Sequence, residues 1–234
     1  RDRWKDCSDE ELIARLRDGQ DEIMDYLMDK YKHLVRKKAK VMFLIGGDTD
    51  DLIQEGMPPG SGQRLDKELR CYDLLDRLGI AYDRADHDAA DTIEACAAVE
   101  DVLEAGICKN LFLTNRQQTA FYLLLMPGHK PFRTKDLSHQ IGSARLSFAS
   151  PEHMRELLDI TPGSVSVLGL MNDHDHRVRL LIDRDLLDDT YLCCHPRINT
   201  STLKLRMTDA VDVLLPALAH APTYVDLPVY EQQG

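Results

Sequence analysis

A lysine and an asparagine interrupt an apolar run at Cys108-Lys109-Asn110-Leu111-Phe112-Leu113. Burying a lysine stem is ordinary, but burying its ammonium without a partner is costly. Lys109 therefore either points outward, or points into a cleft and meets an anionic ligand. A second stretch, Thr161-Pro162-Gly163-Ser164-Val165-Ser166-Val167-Leu168-Gly169-Leu170, mixes glycines with small hydroxyl residues. Such a composition lets the backbone approach a ligand and present N–H donors to a carbonyl or phosphate, although a plain helix-to-strand turn uses the same residues. Asn172-Asp173 closes that stretch. A further polar loop is Cys194-His195-Pro196-Arg197-Ile198-Asn199-Thr200, in which His195 could orient a ligand hydroxyl or a water, or simply stabilise its loop.

The elements that must position these residues follow from periodicity. Leu65, Leu69, Tyr72, Leu75 and Leu78 predict an amphipathic helix stopped by Gly79, then a strand at 81–86 and a helix at 92–103. Strands are expected at 107–114 and 119–126, joined by a hairpin turn at Asn115-Arg116-Gln117-Gln118. Helices at 134–141 and 151–158 open on a suitable cap or an N1 proline. Further strands at 178–182, 191–194 and 202–206 precede a helix from Thr208 through Leu218. The fold class is α/β: a mixed, mostly antiparallel sheet with surrounding helices, in which the hairpins exclude a purely parallel sheet.

Composition is that of a globular chain able to bury a core, with 43% hydrophobic and 29% charged residues. No apolar run reaches the roughly 20 residues of a membrane helix, so no membrane partner is expected and the expected location is cytoplasmic. The six cysteines form no C-x-x-C pair, which favours reduced, buried thiols, and Asp173-His174-Asp175-His176 reads as a polar turn before a strand. No metal and no cofactor is expected. The formal charge of -11 argues against broad neutralisation of phosphates. A nucleic acid could still be gripped locally: Lys130, Arg133 and Lys135 lie in the densest basic stretch of the larger segment, with Arg145 nearby, and a solvated helix start would explain the same charges.

Residues 8–57 predict helices, beginning with a capping box at Ser8-Asp9-Glu10-Glu11. Together with Asp51-Leu52-Ile53-Gln54-Glu55-Gly56-Met57, this segment resembles the start of conserved region 2 in sigma factors of the sigma-70 family. The promoter-melting helix and helix-turn-helix of that family do not follow, so RNA polymerase is a disfavoured partner. Met57-Pro58-Pro59-Gly60-Ser61-Gly62 has the character of a linker. The expected organisation is a helical segment at 1–57, a linker at 58–64 and a second domain at 65–234.

That second domain resembles the YbaK/ProRS-associated family of tRNA editing domains. The likeness rests on Asp86-His87, Thr92-Ile93-Glu94, Lys109-Asn110-Leu111-Phe112-Leu113, Arg145-Leu146-Ser147-Phe148-Ala149, Thr161 to Ser166, Gly169 to Asp173, Ile182-Asp183 and His195-Pro196. The free-standing branch of prolyl-tRNA synthetase associated domains is most similar. Membership would imply an aminoacyl-tRNA deacylase that clears alanine, or cysteine in some relatives, from mischarged proline tRNA held by its acceptor end. Prolyl-tRNA synthetase is a further candidate partner, and a non-catalytic aminoacyl-tRNA binding module is the rival reading.

The resemblance places Lys109 at the family's catalytic lysine, where an ammonium can stabilise charge developing on an ester. It gives an oxyanion site to the backbone of Gly163, Ser164, Val165 and Ser166, with Gly169 in the same loop, and positioning of the aminoacyl end to Asn110 and His195. Many relatives have Pro-Phe after the loop serine where this chain has Val167-Leu168. Rejecting proline while accepting alanine requires a pocket too small for the ring, and Ile93 and Ala97 are the expected walls.

Overall fold

Apolar runs long enough to be buried on both faces dominate the middle of the chain, and the structure shows what covers each face. It is a computed structural model that describes residues 64–87 and 93–230, with side chains of the second stretch described from residue 97. The helices expected before residue 58 and most of the linker lie outside the described residues.

Helix α1 (Asp66–Arg77) leads into β1 (Tyr82–Asp86), α2 (Ile93–Leu103), β2 (Lys109–Asn115) and β3 (Phe121–Met126). Then come α3 (Thr134–Ile141), β4 (Leu146–Phe148), α4 (Pro151–Leu158) and a 3-10 turn at Val167–Asn172. The chain continues through β5 (Val178–Asp183), a second 3-10 turn (Arg184–Asp188), β6 (Tyr191–Cys194) and β7 (Ser201–Arg206). A helical run follows, whose middle, Ala210–Leu214, is a π turn, and β8 (Thr223–Val225) comes last.

The strands form two sheets. One has the order β1-β7-β6 and is antiparallel throughout; the other has the order β4-β2-β3-β5-β8, antiparallel through β3 and parallel from β3 to β8. The expected mixed, mostly antiparallel arrangement is thus divided between two layers. Strand alternation fills three cores. Leu123, Leu125, Leu180 and Ile182 face the main core between the sheets, where Leu192, Leu203 and Leu205 meet them. Leu124, Met126 and Leu181 face α3 on the far side, while Val99 and Leu103 of α2 cover Ala85 and Cys193. Burial on both faces is why β3 reads as a continuous apolar run.

Helix α1 departs from its expected face. Leu65 and Leu69 are exposed, whereas Glu68, Cys71, Tyr72 and Leu75 are buried, so the helix is rotated about its axis. Glu68 tolerates burial because its carboxylate accepts the Tyr72 hydroxyl at 2.6 Å and also meets Arg64.

Candidate active site

The site is built where β2 starts, β6 ends and β7 begins. Around a hollow of about 180 Å³ stand Ile107, Cys108 and Asn110 from the β2 entry, Cys193, Cys194 and His195 from the end of β6, and Thr202 from β7. Gly163 and Val165 close it from the loop after α4.

That loop is shaped by its own polar groups. Asp159 ends α4 in the left-handed region, and Thr161 then accepts both the Ser164 N–H at 3.2 Å and the Ser164 hydroxyl at 2.9 Å. Gly163, at φ +89°, supplies the backbone conformation this turn requires. Ser166 caps the following 3-10 turn, its Oγ accepting Leu168 N–H at 3.2 Å. Ser164 and Ser166 are therefore buried builders of the loop, and neither belongs to the hollow's walls. Gly169 is a builder too: a Cβ there would meet Ile160 Cδ1 at 2.5 Å and Leu158 Cβ at 3.0 Å, so its expected substrate contact is corrected to a packing role. What faces the hollow is Gly163 and Val165, and among the described residues their N–H groups have no hydrogen-bond acceptor.

His195 sits opposite with a fixed tautomer. Its Nδ1 lies 2.8 Å from the Ser201 carbonyl, which can only accept, so Nδ1 carries the proton and Nε2 keeps its lone pair. Burial pushes the pKa down; the Ser201 carbonyl opposes this, and nearby His87 adds to the lowering. The ring is neutral at physiological pH. His87 lies with its ring 6.2 Å from that of His195, and its Nε2 is 2.8 Å from the Thr202 hydroxyl.

Asn110 contributes an acceptor without a donor. Its Nδ2 makes two long contacts, 3.4 Å to the Cys108 carbonyl and 3.4 Å to Cys108 Sγ, while Oδ1 is buried and unpartnered. Burial raises the Cys108 and Cys193 thiols to about 12 and raises Cys194 well above its ordinary value, so all three are protonated apolar wall material.

Lys109 lies between two wall residues on β2 but leaves the strand on the other face. Its amine donates to the Lys130 carbonyl at 2.5 Å, and the residue is not part of the hollow's lining. Ala97 is exposed on α2 and likewise stands outside the walls; the Ile93 side chain lies outside the described residues.

Of the four expected phosphate contacts, Lys130 is corrected. It is 1% exposed, and its three donors go to Asp183 at 2.8 Å, Asp185 at 2.6 Å and the Leu227 carbonyl at 2.8 Å. Burial alone would lower its pKa, but the two carboxylates outweigh it and hold the ammonium above its ordinary value. Arg133, Lys135 and Arg145 are exposed. Asn172 and Asp173 prove structural: Asn172 donates to Leu158 and Gly169 carbonyls, and Asp173 accepts the N–H groups of Arg177 and Val178 and pairs with His220 at 2.9 Å.

The sequence reading missed Thr202 and the cysteine walls. Thr202 gave no signal because a threonine at the start of a strand is unremarkable by type.

Comparison with known proteins fits this geometry. A family model described as "Aminoacyl-tRNA editing domain" matches residues 87–213. The chain belongs to this family. Within the match lie the hollow, its glycine loop and β2. The prolyl-tRNA editing protein ProX of Acetoanaerobium sticklandii is 33% identical over 145 residues, covering 62% of this chain and 88% of that protein. A crystal structure of a candidate trans-editing enzyme for prolyl-tRNA synthetase shares the fold, with a TM-score of 0.54 and 18% identity over 71% of this chain and all of that one. A separate segment is similar to the RNA polymerase sigma-H factor of Bacillus licheniformis, 42% identical over 57 residues, which is 24% of this chain and 26% of the sigma factor. Among the described residues of this editing-domain chain, no helix is long and apolar enough to cross a membrane.

Proposed function

We propose that the domain is a trans-acting deacylase that hydrolyses the ester of a wrong amino acid, alanine foremost, on proline tRNA. The observation that carries this reading is the pairing of free hydrogen-bonding groups in one small hollow: N–H donors of Gly163 and Val165, and acceptors at Asn110 Oδ1 and His195 Nε2. An aminoacyl ester presents the complementary set, a carbonyl oxygen and an α-ammonium.

In the reaction, the acyl oxygen points to the loop N–H groups, which stabilise the negative charge it gains. The α-ammonium gives Asn110 Oδ1 the donor it lacks; the carboxamide is only loosely tethered and can turn to meet it. Water attacks the carbonyl carbon while His195 Nε2 takes its proton. The bond to the ribose oxygen then breaks, and that oxygen leaves with a proton from the imidazolium. Lys109 supplies positive charge beside the ester after exchanging the Lys130 carbonyl for substrate. Its route lies along β2 before Phe112, beyond the residues that bond to β4 and Ala149. Ile107 and Val165 restrict the hollow to small side chains, which excludes the proline ring.

The test is a deacylation panel with alanyl-, cysteinyl- and prolyl-tRNA for proline. Alanine is expected to be released and proline retained, with release abolished by Lys109→Ala. Retention of all three esters, or undiminished release by that variant, overturns the reading. The contact between the Lys109 amine and Lys130 favours one rival, a module that binds aminoacyl-tRNA without turnover. Saturable binding with every ester intact would establish it.

A further inference from the structure

Strand β4 is an edge strand of the five-stranded sheet, and it carries a large aromatic ring that no core uses. Phe148 is 62% exposed, with Phe132 meeting it edge-on at 6.3 Å between centroids. Phe132 is half-buried against the core under α3, so it is a fixed support for the exposed ring. Three exposed cations belong to the same region: Arg145 just before β4, and Arg133 and Lys135 at the start of α3. The Arg133 guanidinium is held 3.6 Å over the Tyr230 ring, and the Tyr230 hydroxyl donates to Asp136, the acidic side chain of the first turn of α3. In a chain of formal charge -11, this is a local reversal of sign.

Such a surface suits unpaired RNA. A ring between cations offers a π-face to a base and charges to the neighbouring phosphates, while offering little continuous apolar area to a protein. The two sites share one strand. Lys109 and Leu111 leave β2 on the face that carries Leu113, which pairs with Phe148. Asn110 of the hollow's wall and Leu113, the strand partner of Phe148, are three residues apart on β2 and point to opposite faces.

We propose that Phe148, backed by Phe132 and flanked by Arg133, Lys135 and Arg145, is a stacking platform for an unpaired base near the 3′ end of the RNA whose ester enters the hollow. This rests on the deacylase reading for its choice of RNA, and it assigns to Phe148 a binding role outside the reacting atoms.

The experiment measures anisotropy of the full chain with a labelled, uncharged RNA hairpin ending in single-stranded CCA, beside the same hairpin with a blunt end. The overhang is expected to bind more tightly, and Phe148→Ala to weaken overhang binding by about ten-fold or more, with blunt-end binding unchanged. Phe148→Trp should retain the overhang preference, and the exposed position should leave Tm unaltered. Equal overhang binding by Phe148→Ala and the parent overturns the proposal. So does concentration-dependent self-association that Phe148→Ala abolishes, which would make the ring a contact between copies. Because the RNA carries no ester, the two readings fail separately: overhang binding that depends on Phe148 without hydrolysis sinks only the deacylase, and hydrolysis with overhang binding indifferent to Phe148 sinks only the platform.

Discussion

Two of the places where the described residues bury polar groups treat them in opposite ways. Around Lys130 each donor has an acceptor: two carboxylates and a carbonyl surround one ammonium that solvent does not reach. In the hollow, the loop N–H groups, Asn110 Oδ1 and His195 Nε2 remain without partners among the described residues. Unmade hydrogen bonds cost a folded protein stability, so groups left open together mark a place where a ligand completes the set. A basic residue in sequence is therefore not yet a ligand contact; what counts is whether its donors are already engaged.

The contrast can be broken most forcefully at His195. His195→Ala should reduce deacylation by about 10²–10⁴-fold, the usual worth of a positioned general base, while denaturant unfolding shifts by no more than about 1 kcal/mol. A large loss of stability with modest loss of rate would make the ring a structural group after all. Lys130→Ala should do the reverse, costing about 3–5 kcal/mol in urea unfolding because it strands Asp183 in the interior. A variant as stable as the parent would show that the ion pair is dispensable. Gly169→Ala should cost about 1–3 kcal/mol through its clash with Ile160 and Leu158, with KM unchanged in the surviving folded protein.

The smallest effect is that of pH. The His195 pKa is depressed on folding, so the unfolded chain binds more protons below about 6.5, and this residue's share of stability is present at neutral pH and lost as pH falls through the folded value. Deacylation should follow the same neutral ring, rising with pH to a plateau, with a midpoint below the ordinary histidine value of about 6.5. A rate still climbing above pH 7.5, once ester self-hydrolysis is subtracted, would assign the base to another group.

Local signals made much of the fold legible. Helices α3 and α4 and strand β6 match their expected bounds, since Ser150 with Pro151 opens α4 and Gly142, in the left-handed region, closes α3. Strands β4 and β8 were not foreseen because three residues carry no periodicity; partners in β2 and β5 define them. The rotated face of α1 escaped because Glu68 looks like a surface residue until Tyr72 and Arg64 meet it.

In the site, the family resemblance, and not the residues taken singly, gave Asn110, the glycine loop and His195 one locality, and the structure brings Asn110, Gly163, Val165 and His195 together. The side of the sheet taken by Lys109 was not legible, because a strand's phase is fixed only by what packs on each face. Nor was the difference between Lys130 and Arg133, three residues apart: the partner that removes Lys130 from solvent is 53 residues away.

The bond from Lys130 to the Leu227 carbonyl gives the fold a timetable. The turn that holds Lys109 draws one of its three anchors from the end of the described chain, and β5 waits for the parallel β8 just before it. On the ribosome, the hollow's own walls through residue 202 can be complete while Lys130 still lacks that anchor. Released chains truncated after residue 222 should accordingly be cut by protease near residue 130, and those extending through residue 230 should resist.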